Sequence, residues 1–147
     1  MRNPLVVIAP PDHPLSRRQG RIPLWRLAQE VFVMREPGSG TRAAMERFFE
    51  EQGLQLKAGM EMTRNEAIKL AVRAGMGLGL GIVSRHTLEL ELETRRLTIL
   101  EVEAFPIERR WYLVHHRGKE LSPSARAFQE FLLGEGLAEC QCLEWAV

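Results

Sequence analysis

Nowhere does this sequence string together the ~20 apolar residues that a membrane span needs, because charges interrupt every hydrophobic stretch. The opening Met1-Arg2-Asn3-Pro4 also lacks the long apolar core of an export signal. Both absences predict a soluble protein of the cytoplasm with no membrane partner. A block of like charge is missing too: 20 Lys and Arg stand against 19 Asp and Glu, spread along the chain, for a net charge of +1. That balance argues against a large duplex-binding surface. Cysteine is scarce, with only Cys140 and Cys142, one residue apart near the C-terminus. No His or further Cys lies close enough in sequence to complete a tetrahedral site, so they read as free thiols on a tail and no metal is expected.

What is present suits one globular domain, or two small lobes, with a core to bury: 45% of the 147 residues are hydrophobic. Leu5-Val6-Val7-Ile8-Ala9, stopped by Pro10-Pro11, predicts a buried strand, and a chain opening directly on a core strand reads as a fragment. Val31 to Met34 predicts a second strand, broken by Pro37-Gly38-Ser39-Gly40 before a helix over 41–52 that carries Ala44, Met45, Phe48 and Phe49 on one face and stops at Gly53. Leu56 to Met62 predicts a third strand. Thr63-Arg64-Asn65-Glu66 has capping-box spacing ahead of a helix with Ile68, Ala71 and Val72 inward, ending at Gly75.

Leu78 to Val83 predicts a fourth strand, and the glycines at 75, 77, 79 and 81 leave one face open to close approach by a backbone or a ligand, tight packing being the simpler cause. Over 86–93 leucines alternate with glutamates at strand period, yet Ser84 can cap a helix, and a helix is the expectation. Leu97 to Val102 predicts a fifth strand; Phe105-Pro106 marks a crossing point before Trp111-Tyr112-Leu113-Val114 and a helix opened by Ser122-Pro123, with Ala125, Phe128, Phe131 and Leu132 as its buried stripe. Strands alternating with helices predict an α/β fold with a mainly parallel sheet and ligands beyond the carboxyl ends of its strands.

Arg35-Glu36-Pro37-Gly38-Ser39-Gly40-Thr41-Arg42 is the most informative stretch, since a strand runs through a glycine-rich turn into a helix start. Free backbone N–H groups, the positive end of the helix dipole and two hydroxyls meet there, which suits a carboxylate or phosphate. A second reading stands beside it: Ser39 or Thr41 merely caps the helix and the glycines merely turn the chain. The stretch lacks the Lys-Ser/Thr ending of a Walker A loop, and the later glycines do not spell G-x-G-x-x-G, which excludes a Rossmann cofactor site. No catalytic residues are expected: His13, His86, His115 and His116 are scattered, and Ser39 has no G-x-S-x-G elbow. Glu66 is either the capping-box carboxylate or a polar group reaching into a cleft, with Asn65 the better cleft candidate.

Asn3 to Leu15, followed by the 35–42 block, resembles the effector domain of LysR-type transcriptional regulators. Asn65-Glu66-Ala67-Ile68-Lys69, Ala74-Gly75-Met76-Gly77, Ser84-Arg85-His86-Thr87-Leu88, Arg109-Arg110-Trp111-Tyr112 and Leu121-Ser122-Pro123 are similar to the subgroup regulating Calvin-cycle (RuBisCO) operons, a likeness spanning residues 3 to 133. The resemblance implies a periplasmic-binding-protein-like (type 2) effector domain. Residues 1–10 and 102–106 would be crossovers, 11–101 a complete second lobe, 107–133 the closing strand and helix of lobe one, and 134–147 a tail. The winged helix-turn-helix and the first part of lobe one would be missing, leaving promoter DNA as a partner only through that missing part.

It further implies a homodimer or tetramer and a small anionic effector held between lobes, with sugar phosphates, phosphoenolpyruvate and NADPH as candidates and no bound cofactor. By position the effector would touch Pro37, Gly38, Ser39, Gly40, Thr41 and Asn65. Trp111, Phe128 and Phe131 would need a substitute partner such as a second copy. The rival class is a solute-binding module of a transport system; an enzyme on the same scaffold comes third.

Overall fold

A computed structural model of the chain describes residues 2–75, 79–118 and 120–134. The chain divides into a compact unit, Asn3–Arg109, and a second unit built from the residues on either side of it. Met76 to Leu78, the cysteines and the tail from 135 onward lie outside the described residues.

The larger unit is organised on a five-stranded sheet of order β3-β2-β4-β1-β5, formed by β1 (Leu5–Ala9), β2 (Val31–Arg35), β3 (Lys57–Met62), β4 (Leu80–Ser84) and β5 (Thr98–Ile99). β2 pairs in parallel with β3 and β4, while β1 runs antiparallel to β4 and β5, so β1 alone points the other way. β1 is buried along its whole length because it sits inside the sheet with both faces covered, which is why its sequence is a continuous apolar run.

Alternation of side chains sorts the strand residues between two helical layers. Leu5, Val7, Phe32, Met34, Leu80 and Ile82 pack on the side of α2 (Gly40–Glu51), which contributes Met45 and Phe49. Val6, Ile8, Val33 and Val83 pack on the side of α3 (Asn65–Arg73), which contributes Ile68 and Val72. Phe48 and Phe49 meet edge to face and both reach Phe105, with Phe49 also edge-on to Phe32. At Gly79, φ is +103° and an added Cβ would lie 1.9 Å from the Val31 carbonyl oxygen. At Gly81 it would press on Ile68, Ile8 and Val72. Tight packing, not a ligand, is thus what these two glycines serve.

Several expectations need correction. The capping box is not formed: Arg64 takes the cap position without a side-chain bond, so Glu66 falls one place short of the reciprocal position. The helical reading of 86–93 holds in two pieces, a 3-10 turn Arg85–Thr87 and α4 (Glu89–Glu93), but the Ser84 hydroxyl is spent on Asn3 instead of capping. β5 is two residues long, with Val102 joining only through a bridge to Ile22. A 3-10 turn, Pro14–Arg17, and α1 (Leu24–Leu27) were too short for any periodic signal.

The second unit holds α5 (Pro123–Leu133), capped by the Ser122 hydroxyl accepting from the Ala125 N–H. Its expected stripe is not buried, since Phe128 is 59% and Phe131 47% exposed. Residues 111–114 form no strand and expose their side chains. A strand requires a ladder partner and a stripe an opposing face, and among the described residues neither is supplied.

Candidate functional site

The carboxyl ends of the parallel strands β2, β3 and β4 fall at Arg35, Met62 and Ser84. From Arg35 the chain turns through Pro37 and Gly38, whose φ of +88° is open to glycine at little cost, and enters α2. The turn is fixed from within. The Glu36 N–H donates to the Met62 carbonyl at 3.1 Å and the Ser39 N–H to the Glu36 carbonyl at 3.2 Å. Ser39 is the N-cap, its hydroxyl accepting from the Thr41 N–H at 3.3 Å. Helix geometry leaves the Gly40 and Arg42 N–H groups without acceptors inside α2, so they and the dipole present positive potential at this end.

The site residues expected from sequence divide into three groups. Ser39 and Thr41 are buried at the start of α2, while Pro37, Gly38 and Gly40 lie on the exposed turn. Asn65, the first residue of α3, joins them indirectly: its Oδ1 accepts from the Arg35 guanidinium at 3.2 Å. Capping by Ser39 is therefore real, and it engages the Thr41 N–H while the Gly40 and Arg42 N–H groups have no acceptor within the helix. Glu66 is exposed in the first turn of α3 and acts on Arg35 through its charge.

Three arginines surround the turn. Arg35 grips Glu36 through two bonds of 2.8 and 2.9 Å, which raises its own pKa and holds the Glu36 carboxyl below the ordinary carboxylate range. Arg42 donates to Glu61 and Glu46 and to the Arg35 carbonyl, and those carboxylates raise its pKa. Arg109 donates from Nη1 to the Thr41 hydroxyl at 3.3 Å, and burial holds its pKa below the ordinary value. Sequence reasoning did not assign Arg35 and Arg109 to the site, although both stood in its characteristic motifs. It also missed Asn3 and Ser84, buried polar residues bonded to each other at the same edge of the sheet. Their only sequence signal is that polar residues flank apolar strands.

Among the described residues no group of His, Cys, Asp and Glu could hold a metal ion, and no helix is long and apolar enough to cross a membrane. A cavity of about 330 Å³ opens on the flank of α2, lined by Met34, Arg42, Glu46, Phe49, Glu50 and neighbours. Its two carboxylates make it a poor receptor for an anion, and it does not include Ser39 or Thr41.

A family model described as the LysR substrate binding domain matches residues 1–136. The RuBisCO operon transcriptional regulator of Allochromatium vinosum is 67% identical over 135 residues, covering 92% of this chain and 44% of the regulator. The HTH-type transcriptional activator CmpR of Synechocystis sp. (strain ATCC 27184 / PCC 6803 / Kazusa) is 46% identical over 132 residues, covering 90% and 42%. The chain thus spans less than half the length of these curated relatives. Among solved structures, the Synechocystis PCC6803 CcmR regulatory domain in complex with 2-PG aligns with a TM-score of 0.84 at 43% identity, covering 92% of this chain and 64% of that one. The effector binding domain of QuiR in complex with shikimate aligns at 0.77 and 24% identity, over 93% and 63%, a likeness of fold alone. These curated relatives are transcriptional regulators, not enzymes or transport proteins.

Proposed function

The chain belongs to the LysR substrate-binding domain family, and from that premise we propose that it senses a small anionic metabolite on behalf of a regulator of carbon-fixation genes. The observation that carries the reading is the start of α2: Ser39 and Thr41 are buried beside helix N–H groups at the carboxyl ends of parallel strands. That arrangement suits an oxyanion. Pro37, Gly38, Ser39, Gly40, Thr41 and Asn65 are the residues assigned to the effector.

Sugar phosphates, phosphoenolpyruvate, NADPH and 2-PG are the candidate effectors, the last because a domain 43% identical to this one was solved with it. In this reading 11–101 is lobe two, 1–10 and 102–106 are crossovers, and 107–133 belongs to lobe one. The whole protein works in the cytoplasm as a homodimer or tetramer and reaches promoter DNA through a helix-turn-helix outside this chain. Effector binding shifts a conformational equilibrium that the DNA-binding parts report.

Thermal unfolding of the chain and of a Ser39→Ala, Thr41→Ala double variant against those metabolites and simple anions tests the reading. Stabilisation by one metabolite, lost in the variant, is the expected result. Equal stabilisation of both proteins would move the effector away from this turn.

A further inference from the structure

A second cavity, of about 300 Å³, lies at the edge of the sheet farthest from β3, between β5 and the loop that follows the 3-10 turn Pro14–Arg17. None of the residues at the start of α2 lines it. Strand register explains its shape. Ile8 stands opposite Ile99, and the Leu100 N–H donates to the Val7 carbonyl at 2.9 Å. In an antiparallel ladder, residues that bond across the pair alternate with residues whose N–H and C=O point away from it. The N–H and C=O of Ile99 therefore face the outer edge. So does Glu101, whose carbonyl accepts from the Ile22 N–H at 2.8 Å, while the Glu103 N–H donates to the Ile22 carbonyl at 2.9 Å. The loop thus pairs with this edge at Ile22 but not before it. A Cβ on Gly20 would meet no atom within 4 Å, and among the described residues no backbone group bonds to Ile99 or to the Glu101 N–H on that side.

Two opposite charges line the same cavity. Arg18 and Glu101 are both exposed, yet among the described residues neither forms an ion pair, with the other or with any third group. The floor is apolar, with Leu15, Ile22 and Leu100 only 2–6% exposed.

We propose that this cavity binds a free α-amino acid as its zwitterion, the carboxylate on Arg18 and the Ile99 N–H, the ammonium on the Ile99 carbonyl and Glu101, and a small apolar side chain over Leu15, Ile22 and Leu100. Three features select that class. A cation and a carboxylate that share a cavity without pairing offer opposite charges to one ligand, and a ligand of single charge would satisfy only one of them. The Ile99 N–H and C=O, side by side on an open strand edge, present a donor and an acceptor suited to main-chain groups. The volume stands at the small end of the roughly 300–1,000 Å³ range of ligand pockets, which favours a compact molecule. The proposal is independent of the effector reading given above. β1 connects the two places, its Leu5 facing Ser84 at one end and its Ala9 facing Thr98 at the other.

The test is calorimetric titration of the chain with L-alanine and L-valine, and with isovalerate and isobutylamine, which keep the valine side chain but carry one charge each. L-Valine is expected to bind at least about ten-fold more tightly than either analogue. Arg18→Gln and Glu101→Gln should each weaken L-valine by about ten-fold or more, and Arg18→Lys should recover part of the loss because it restores the charge without the fork. Both side chains are exposed, so the melting temperatures of the variants should stay near that of wild type.

A chain that binds neither amino acid at millimolar concentration overturns the inference. Isovalerate binding as tightly as L-valine also overturns it, since the cavity would then be a receptor for anions alone. Unchanged affinity in both Gln variants would place the amino acid elsewhere and has the same consequence. Should a variant not fold, the backbone amide resonances of Ile99 and Glu101 in the wild-type chain decide: both are expected to shift on addition of L-valine, and resonances that stay in place overturn the inference.

Discussion

The Arg35 guanidinium donates to Asn65 Oδ1 across 3.2 Å, tying the carboxyl end of β2 to the first residue of α3. The same guanidinium clasps Glu36, so one side chain holds the strand end, the turn and the neighbouring helix. Replacing Asn65 by Ala removes the link to α3 only. A loss of about 0.5–1.5 kcal/mol in urea unfolding is expected, with the slope of the transition unchanged.

Glu36 makes a pH-dependent contribution whose sign follows from its partner. Arg35 lowers its pKa, so the folded protein binds this proton more weakly than the unfolded chain does. The contribution is complete above the ordinary carboxylate value and lost as pH falls through the lowered one. Acid titrations of wild type and Glu36→Gln are therefore expected to differ in stability near neutral pH and converge in strong acid. Curves that stay parallel throughout would show that the pair contributes nothing through protonation.

Gly79 and Gly81 should respond differently to alanine. Gly79→Ala places a methyl group 1.9 Å from a backbone oxygen at a positive φ of 103°. It should cost more than about 3 kcal/mol or prevent folding. Gly81→Ala meets only side chains, Ile68, Ile8 and Val72, at 2.9–3.0 Å. Those can shift, so a loss of about 1–3 kcal/mol is expected. Melting temperatures of the two variants, measured side by side, check the order.

The exposed apolar side chains of α5 and of 111–114 predict self-association. Light scattering of the wild-type chain should show species larger than a monomer, reduced in a Phe128→Ser, Phe131→Ser double variant. A wild-type monomer across the concentration range would count against the oligomer proposed above.

Much of the fold was legible because local signals agreed with one another. The apolar run of β1 has the observed limits Leu5–Ala9, and the helix expected over 41–52 spans Gly40–Glu51, with Gly53 at a φ of +67° just past its end. The turn between β2 and α2 was recognisable from its glycines and hydroxyls, and motifs on either side of it carried the family resemblance. The capping box at Thr63 was misjudged because a shift of one residue in the helix start leaves the spacing intact while undoing the bonds. Arg109 and Thr41 lie 68 positions apart, and Asn3 and Ser84 lie 81 apart. No local pattern pairs residues at such separations.

The sequence alone determined the alternation of strands and helices, the apolar faces that make two packed layers, and a strand–turn–helix junction rich in glycine and hydroxyl groups. These follow from side-chain periodicity and from backbone preferences that act over a few residues. Tertiary structure alone decided that β1 runs against its neighbours and that Arg35 and Arg42 are clasped by carboxylates while Arg109 reaches the start of α2. It also decided which polar groups are buried together. Those outcomes depend on strand register and on distances between remote parts of the chain, which exist only once the sheet has formed.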